Sequence, residues 1–148
     1  MKKILFLFLL VGLVYACKKD KGVGTKPILT FKSYSIDSVT ATTEQMTVTL
    51  NVRDGDGDIE DTLAMAVFYD SMGTADSLYG IKKMPGIGIN KGKSINADVI
   101  LPLIGSDFLL GTGDRPNDSM HFAIYIIDNA GNSSDTISTP KIPYNRLP

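Results

Sequence analysis

The residues best suited to chemistry lie in one short acidic segment, Arg53-Asp54-Gly55-Asp56-Gly57-Asp58-Ile59-Glu60-Asp61. Five of its side chains carry carboxylates, and glycines separate the first three of them. Carboxylates crowded this closely repel one another, so such a cluster needs either a bound cation or full exposure to solvent. Carboxylate oxygens are also preferred ligands of calcium. The segment therefore predicts a calcium-binding turn, and the alternative is a solvated acidic loop without a metal.

The spacing of the acidic residues indicates which of them would bind the ion. Asp54, Asp56 and Asp58 alternate like the first three ligands of an EF-hand loop, and the intervening glycines let the backbone wrap around an ion. However, an isoleucine occupies the sixth loop position and a methionine the twelfth, where an EF-hand has glycine and glutamate. We therefore predict EF-hand-like ligands on a turn between two strands, with Glu60 or Asp61 completing the coordination shell.

The rest of the chain has the side-chain patterns of β-structure. Residues Gln45–Arg53 alternate between apolar and polar side chains, which is typical of a strand buried on one face. Thr62–Tyr69 is apolar on both faces, so we expect it to be covered on both. The other predicted strands are Leu29–Ile36, Leu78–Met84, Ser94–Leu103, Ser119–Ile127 and Thr136–Ile142. About seven short strands separated by turns rich in Gly, Asp and Asn predict an all-β antiparallel sandwich. We interpret Phe108-Leu109-Leu110 as a core plug beneath a long loop.

A second polar loop, Asp128-Asn129-Ala130-Gly131-Asn132, follows one of the strongest predicted strands. In an immunoglobulin-like sandwich, the loop after the second strand and the loop before the last strand lie at the same end. Asp128 and Asn129 would then face the acidic turn and add oxygen ligands. The alternative is that this loop is only a tight turn, because Asn and Gly favour positive φ.

The N-terminal residues have the features of an export signal. Lys2 and Lys3 precede an apolar run that is shorter than the about 20 residues needed to span a bilayer. Val14-Tyr15-Ala16-Cys17 resembles the lipobox of bacterial lipoproteins, and Cys17 is the only cysteine. The resemblance implies that residues 1–16 are a signal peptide and that Cys17 becomes the lipid-modified first residue. Stable anchoring takes more than one acyl chain, and lipoproteins of this kind carry several.

The remaining sequence divides into two parts. Residues 17–27 are polar and contain glycine, which predicts a flexible tether between the lipid and a single domain over residues 28–148. Without residues 1–16 the net charge goes from −1 to −3, because they contain two lysines and no acid. This weak acidity gives no electrostatic basis for nucleic-acid binding. We expect anchoring to the outer membrane, at its periplasmic face or at the cell surface.

The two polar loops also resemble segments of a known group of proteins. A strand ending in Asp-Gly-Asp-Gly-Asp-Ile, and a late strand followed by Asp-Asn-Ala-Gly-Asn-Ser, are similar to those of immunoglobulin-like lipoproteins of Bacteroidetes. Thr139-Pro140-Lys141-Ile142 fits the same pattern. The resemblance implies an immunoglobulin-like β-sandwich and an envelope location. It implies no activity, because this fold carries many functions.

Features expected of an enzyme are few. His121 is the only histidine, which disfavours a transition-metal site, and we interpret it as a surface or sheet-covering residue. No segment resembles Gly-x-Ser-x-Gly. We therefore predict a non-enzymatic binding or structural accessory module with a protein or glycan ligand. One alternative is a carbohydrate-binding module of a glycan-uptake system, which would show an exposed aromatic row on one sheet. The other is a small hydrolase, which would pair His121 with an acid.

Overall fold

The computed structural model describes residues 24–72, 79–86, 88–109 and 117–145 of the 148-residue chain. The predicted signal peptide, Cys17 and the first part of the predicted tether lie outside the described residues, as do Leu78 and Leu110. In the part of the chain that is described, no helix is long and apolar enough to cross a membrane.

The described residues form nine strands with very little helix. The strands are β1 (Ile28–Tyr34), β2 (Val39–Thr40), β3 (Gln45–Asp54), β4 (Thr62–Tyr69), β5 (Gly80–Lys83), β6 (Ile95–Ile104), β7 (Asp118–Ile127), β8 (Ile137–Ser138) and β9 (Ile142–Asn145). One helical turn, α1 (Gly105–Phe108), follows β6, and 3₁₀ turns lie at Asp70–Met72 and Gly88–Asn90.

The strands form two sheets packed face to face. The first sheet has the order β1-β3-β6, and the second has the order β2-β9-β7-β4-β5 with β8 paired to β7. The pairings are antiparallel except for that of β2 with β9, which is parallel. The first two strands divide between the sheets, and later strands cross from one sheet to the other, as in immunoglobulin-like sandwiches. The predicted all-β sandwich is therefore confirmed.

The alternation in the sequence decides which face of each strand enters the core. The apolar face of β3 is almost completely buried, and so is the apolar face of β7 opposite it. These residues are Met46, Val48, Leu50, Val52, Met120, Phe122, Ile124 and Ile126. Strand β4 is covered on both faces, as predicted, because Ala64 and Ala66 are buried on the side away from the core.

Two features of the strands differ from the prediction. The predicted strand Thr136–Ile142 is divided into β8 and β9, because the chain turns inward at Thr139 just before Pro140. The Thr139 hydroxyl accepts the N–H of Phe122 at 2.8 Å and the Tyr34 hydroxyl at 2.6 Å. Strand β2 was not predicted, because two residues are too few to show a period.

The predicted plug at Phe108 is part of the core. Its side chain is fully buried, and its carbonyl accepts a hydrogen bond from the Tyr69 hydroxyl at 2.6 Å. A buried hydroxyl needs such a partner, so this bond fixes α1 against the end of β4. The helical turn therefore closes the end of the sandwich where β6 ends.

Candidate metal centre

The acidic turn begins at the last residue of β3, where Asp54 pairs with Ile95 of β6. Asp54 is completely buried, and its Oδ2 accepts the backbone N–H groups of Gly57 at 2.8 Å and Asp58 at 3.2 Å. These two bonds fold the chain back over the carboxylate. The strand ladder fixes the position of Asp54, and Asp54 in turn fixes the positions of the residues that follow it.

Gly57 brings the turn against the segment that precedes β6. Its φ of +62° is in the left-handed region, and a Cβ at this position would lie 2.1 Å from the carbonyl oxygen of Lys93. Its own carbonyl accepts the N–H of Gly92 at 3.2 Å, and the Ser94 hydroxyl contacts the Asp54 carbonyl at 3.3 Å. Glycine is required here both for its backbone conformation and for the close approach of the two segments.

Three carboxylates of the turn converge. One ligand oxygen from each of Asp54, Asp56 and Asp58 lies within 4.8 Å of the others. The Oδ1 atom of each is buried and has no hydrogen-bond partner among the described residues. At 4.8 Å and an effective dielectric constant of about 20, two ionised carboxylates repel each other by roughly 3 kcal/mol. Buried polar atoms normally have partners, so converging carboxylates that each carry an unpartnered oxygen mark a place for a cation.

The surroundings of the cluster disfavour negative charge when no cation is bound. Burial raises the pKa of the Asp54 carboxyl, the nearby Asp56 raises it further, and the N–H groups of Asp58 and Gly57 oppose the rise. Burial also raises the pKa of Asp58, followed by repulsion from Asp128, Asp56 and Asp54. A divalent cation would remove this penalty, and protons would compete with it for the same oxygens.

The second polar loop packs against the turn. The N–H of Asn129 donates to the backbone carbonyl of Asp58 at 2.8 Å, and the nearby N–H of Ala130 opposes the rise in the pKa of the Asp58 carboxyl. Asp128 is buried, and its two oxygens accept the backbone N–H and the side-chain Nδ2 of Asn132 at 2.7 and 2.9 Å. The two loops are therefore neighbours. The Asp128 carboxylate repels that of Asp58. Ion binding by Asp128 and Asn129 stays a prediction.

Glu60 and Asp61, which the sequence offered as closing ligands, lie outside the group of converging oxygens. Glu60 forms an ion pair with Lys91 at 3.3 Å, and the Asp61 side chain is exposed. These two acids follow Ile59 in the sequence, and the side chain of Ile59 is buried in the core. Burial of Ile59 therefore directs the chain after it away from the cluster. The remaining ligands of a bound ion would be backbone carbonyls or water, which calcium accepts readily.

Several residues at this end of the molecule were not identified from the sequence. Gly92, Lys93 and Ser94 support the turn, and none of the three was predicted to belong to the site. The local sequence signal for this contact is the presence of glycine at positions 57 and 92, which both have positive φ. Glycines are too common in loops to predict such a contact.

His121 covers the outer face of the second sheet, as interpreted from the sequence. Its ring stacks on that of Phe68, with centroids 5.3 Å apart and planes 14° apart. Its Nδ1 atom is buried and has no hydrogen-bond partner among the described residues. The nearby Asp70 carboxylate instead accepts bonds from Ser119 and Lys141, each at 2.7 Å. The pairing of His121 with an acid that a hydrolase would need is therefore not formed by Asp70.

Comparison with known proteins gives little further information. No protein-family model matches the chain, and no curated protein matches it. Among solved structures, a Bordetella pertussis protein assigned as ApaA aligns with 84% of this chain and 97% of its own, at 9% sequence identity and a TM-score of 0.28. That score is too low to support a shared architecture.

Proposed function

We propose that this protein is a non-enzymatic envelope module whose paired loops are rigidified by calcium. The proposal depends on one observation: the carboxylates of Asp54, Asp56 and Asp58 converge, and each has a buried Oδ1 atom without a hydrogen-bond partner among the described residues. The donor set is entirely oxygen, which suits a hard cation such as calcium and disfavours the transition metals that histidine and thiolate bind. An extracellular or periplasmic module of this kind would bind calcium with a Kd of about 10⁻⁴–10⁻³ M.

Calcium is expected to raise the melting temperature of the protein, because it binds the folded turn and not the unfolded chain. At a free concentration 100 times the Kd the gain is about 2.7 kcal/mol, or roughly 10 °C for a domain of this size. The measurement is thermal unfolding in EDTA and then in calcium raised to about 10–100 mM, which is 100 times such a Kd, with magnesium as a second ion. Asp98→Asn is the matched control, since Asp98 pairs with Lys32 on the first sheet and is not part of the carboxylate cluster. An unchanged melting temperature in calcium would overturn the proposed metal site.

We also propose that Cys17 carries the lipid that anchors the module to the outer membrane. The support is the sequence before it, with its basic start, apolar run and lipobox-like end. Cys17→Ala is expected to move the protein from the membrane fraction into the soluble fraction, measured by fractionation and immunoblotting. The matched control is Ser38→Ala, which leaves Cys17 in place. Continued membrane retention of Cys17→Ala would contradict the anchor.

One observation favours a carbohydrate-binding module as a second candidate. The outer face of the second sheet carries two ring pairs, Phe68 with His121 and Tyr79 with Tyr125, each with centroids 5.3 Å apart. His121 and Tyr125 are four residues apart on β7, a separation of about 13 Å. The small side chains between the ring pairs are buried; they are Ala64, Ala66 and Ala123. Aromatic rings at two places on the outer face of one sheet suit the stacking of an extended glycan.

Binding to a glycan array tests this second candidate. Tyr79→Ala and Tyr125→Ala are each expected to weaken binding about tenfold, because one aromatic contact contributes about 0.5–1.5 kcal/mol beyond its area. Ile100→Ala is the matched control, because this exposed residue lies on the first sheet. The candidate fails if no glycan binds, or if all three substitutions weaken binding equally.

A further inference from the structure

The acidic turn and the second loop both hold the residues that lead into β1. The N–H of Gly55 donates to the carbonyl of Gly24 at 3.1 Å. The side-chain Nδ2 of Asn132 contacts the carbonyl of Thr25 at 3.4 Å. Gly55 lies between two members of the carboxylate cluster, and Asn132 holds the carboxylate of Asp128. The lead-in segment, residues 24–26, is therefore attached to the two loops of the metal centre.

Among the described residues, few other contacts hold this segment. Gly24, Thr25 and Lys26 are exposed, and burial of the chain begins only at Pro27. Lys26 forms an ion pair with Asp135 at 2.7 Å, but the two side chains are 56% and 92% exposed. Ion pairs as exposed as this one contribute little to stability. The contacts from Gly55 and Asn132 are thus the ones that determine where the lead-in segment lies.

We propose that calcium at the acidic turn fastens the lead-in segment to the domain, an inference that rests on the proposed metal site. With calcium bound, the carboxylates on both sides of Gly55 are held together, and the Gly55 N–H stays directed at Gly24. Without calcium the carboxylates repel one another, so the turn and the loop against it lose their fixed geometry and release the segment. Calcium occupancy would then control whether residues 24–26 are held against the domain.

The order of the segment can be measured directly by ¹⁵N relaxation of the purified protein. With saturating calcium, the order parameters of Gly24, Thr25 and Lys26 are expected at about 0.8, close to those of rigid backbone. In EDTA they are expected to fall below about 0.6, the range of flexible backbone. Val48 and Leu50, in the centre of β3, should stay rigid in both conditions and serve as internal references.

Two variants distinguish the effect of the contacts to residues 24–26 from the effect of calcium binding. Asn132→Ala removes the side-chain bonds to Thr25 and to Asp128, but its backbone N–H still holds Asp128. The segment should therefore be less ordered in calcium while calcium still raises the melting temperature. Lys26→Ala removes only the exposed ion pair and should leave the order parameters of Gly24 and Thr25 unchanged.

The outcomes distinguish this inference from the proposed function. If calcium raises the melting temperature while the order parameters of residues 24–26 do not change, the proposed attachment of the segment is wrong and the metal site is still supported. If calcium changes neither quantity, both are wrong.

Discussion

Replacing Asp54 with asparagine is expected to destabilise the protein in calcium and to stabilise it in EDTA. Asparagine keeps the shape of the side chain and an oxygen that can accept the N–H groups of Gly57 and Asp58, but it removes a buried charge. In calcium the variant loses a charged ligand, and with it most of the about 2.7 kcal/mol that the ion contributes. In EDTA it loses repulsion from two neighbouring carboxylates, which is roughly 3 kcal/mol for each pair when both partners are ionised.

Urea denaturation in the two conditions measures both effects. The control is Asp98→Asn, which removes a carboxylate hydrogen-bonded to Lys32 and Asn51 on the first sheet. Its small effect should have the same sign and size with and without calcium. If Asp54→Asn shifts the urea midpoint in the same direction in both conditions, the cluster is not held together by a cation.

Replacing Gly57 with alanine is expected to have the largest effect on stability of any single substitution in the turn. The new Cβ would lie 2.1 Å from the carbonyl oxygen of Lys93, a contact that real Cβ atoms essentially never make. The backbone must therefore move, in addition to the strain of alanine at a φ of +62°. We expect a loss of about 4 kcal/mol in the free energy of unfolding, at the upper end for one substitution.

Gly92→Ala is a matched control for that substitution. Gly92 also has a positive φ, of +77°, but no atom lies within 4 Å of a Cβ built there. Its replacement should therefore cost only the conformational strain, about 1 kcal/mol. Equal losses for the two variants, measured by urea denaturation, would show that the turn does not pack against Lys93 as described.

The sandwich could be predicted because its main strands alternate clearly. In β3 and β7 the apolar side chains recur at every second residue, so each strand was recognised nearly to its ends. Strand β2 is held by parallel pairing with β9, which leaves no local pattern. The division between β8 and β9 depends on Thr139 bonding across to Phe122, a contact far away in sequence.

The candidate site could be predicted only in part for a similar reason. Asp54, Asp56 and Asp58 alternate with glycines in one tight turn, and their carboxylates lie close together as their spacing in the sequence suggests. Glu60 and Asp61 are equally close in sequence, but the burial of Ile59 directs the chain away from the cluster. The contact from Gly55 to Gly24 is long-range and uses only backbone atoms, so no side-chain pattern indicates it.

Titration of the purified, EDTA-treated and dialysed protein with calcium in an isothermal calorimeter tests the metal site most directly. The account predicts one ion bound per chain, retention of this binding in Asp98→Asn, and its loss when Asp54, Asp56 and Asp58 are all replaced by asparagine. Absence of binding at millimolar calcium, or undiminished binding in the triple variant, would contradict it.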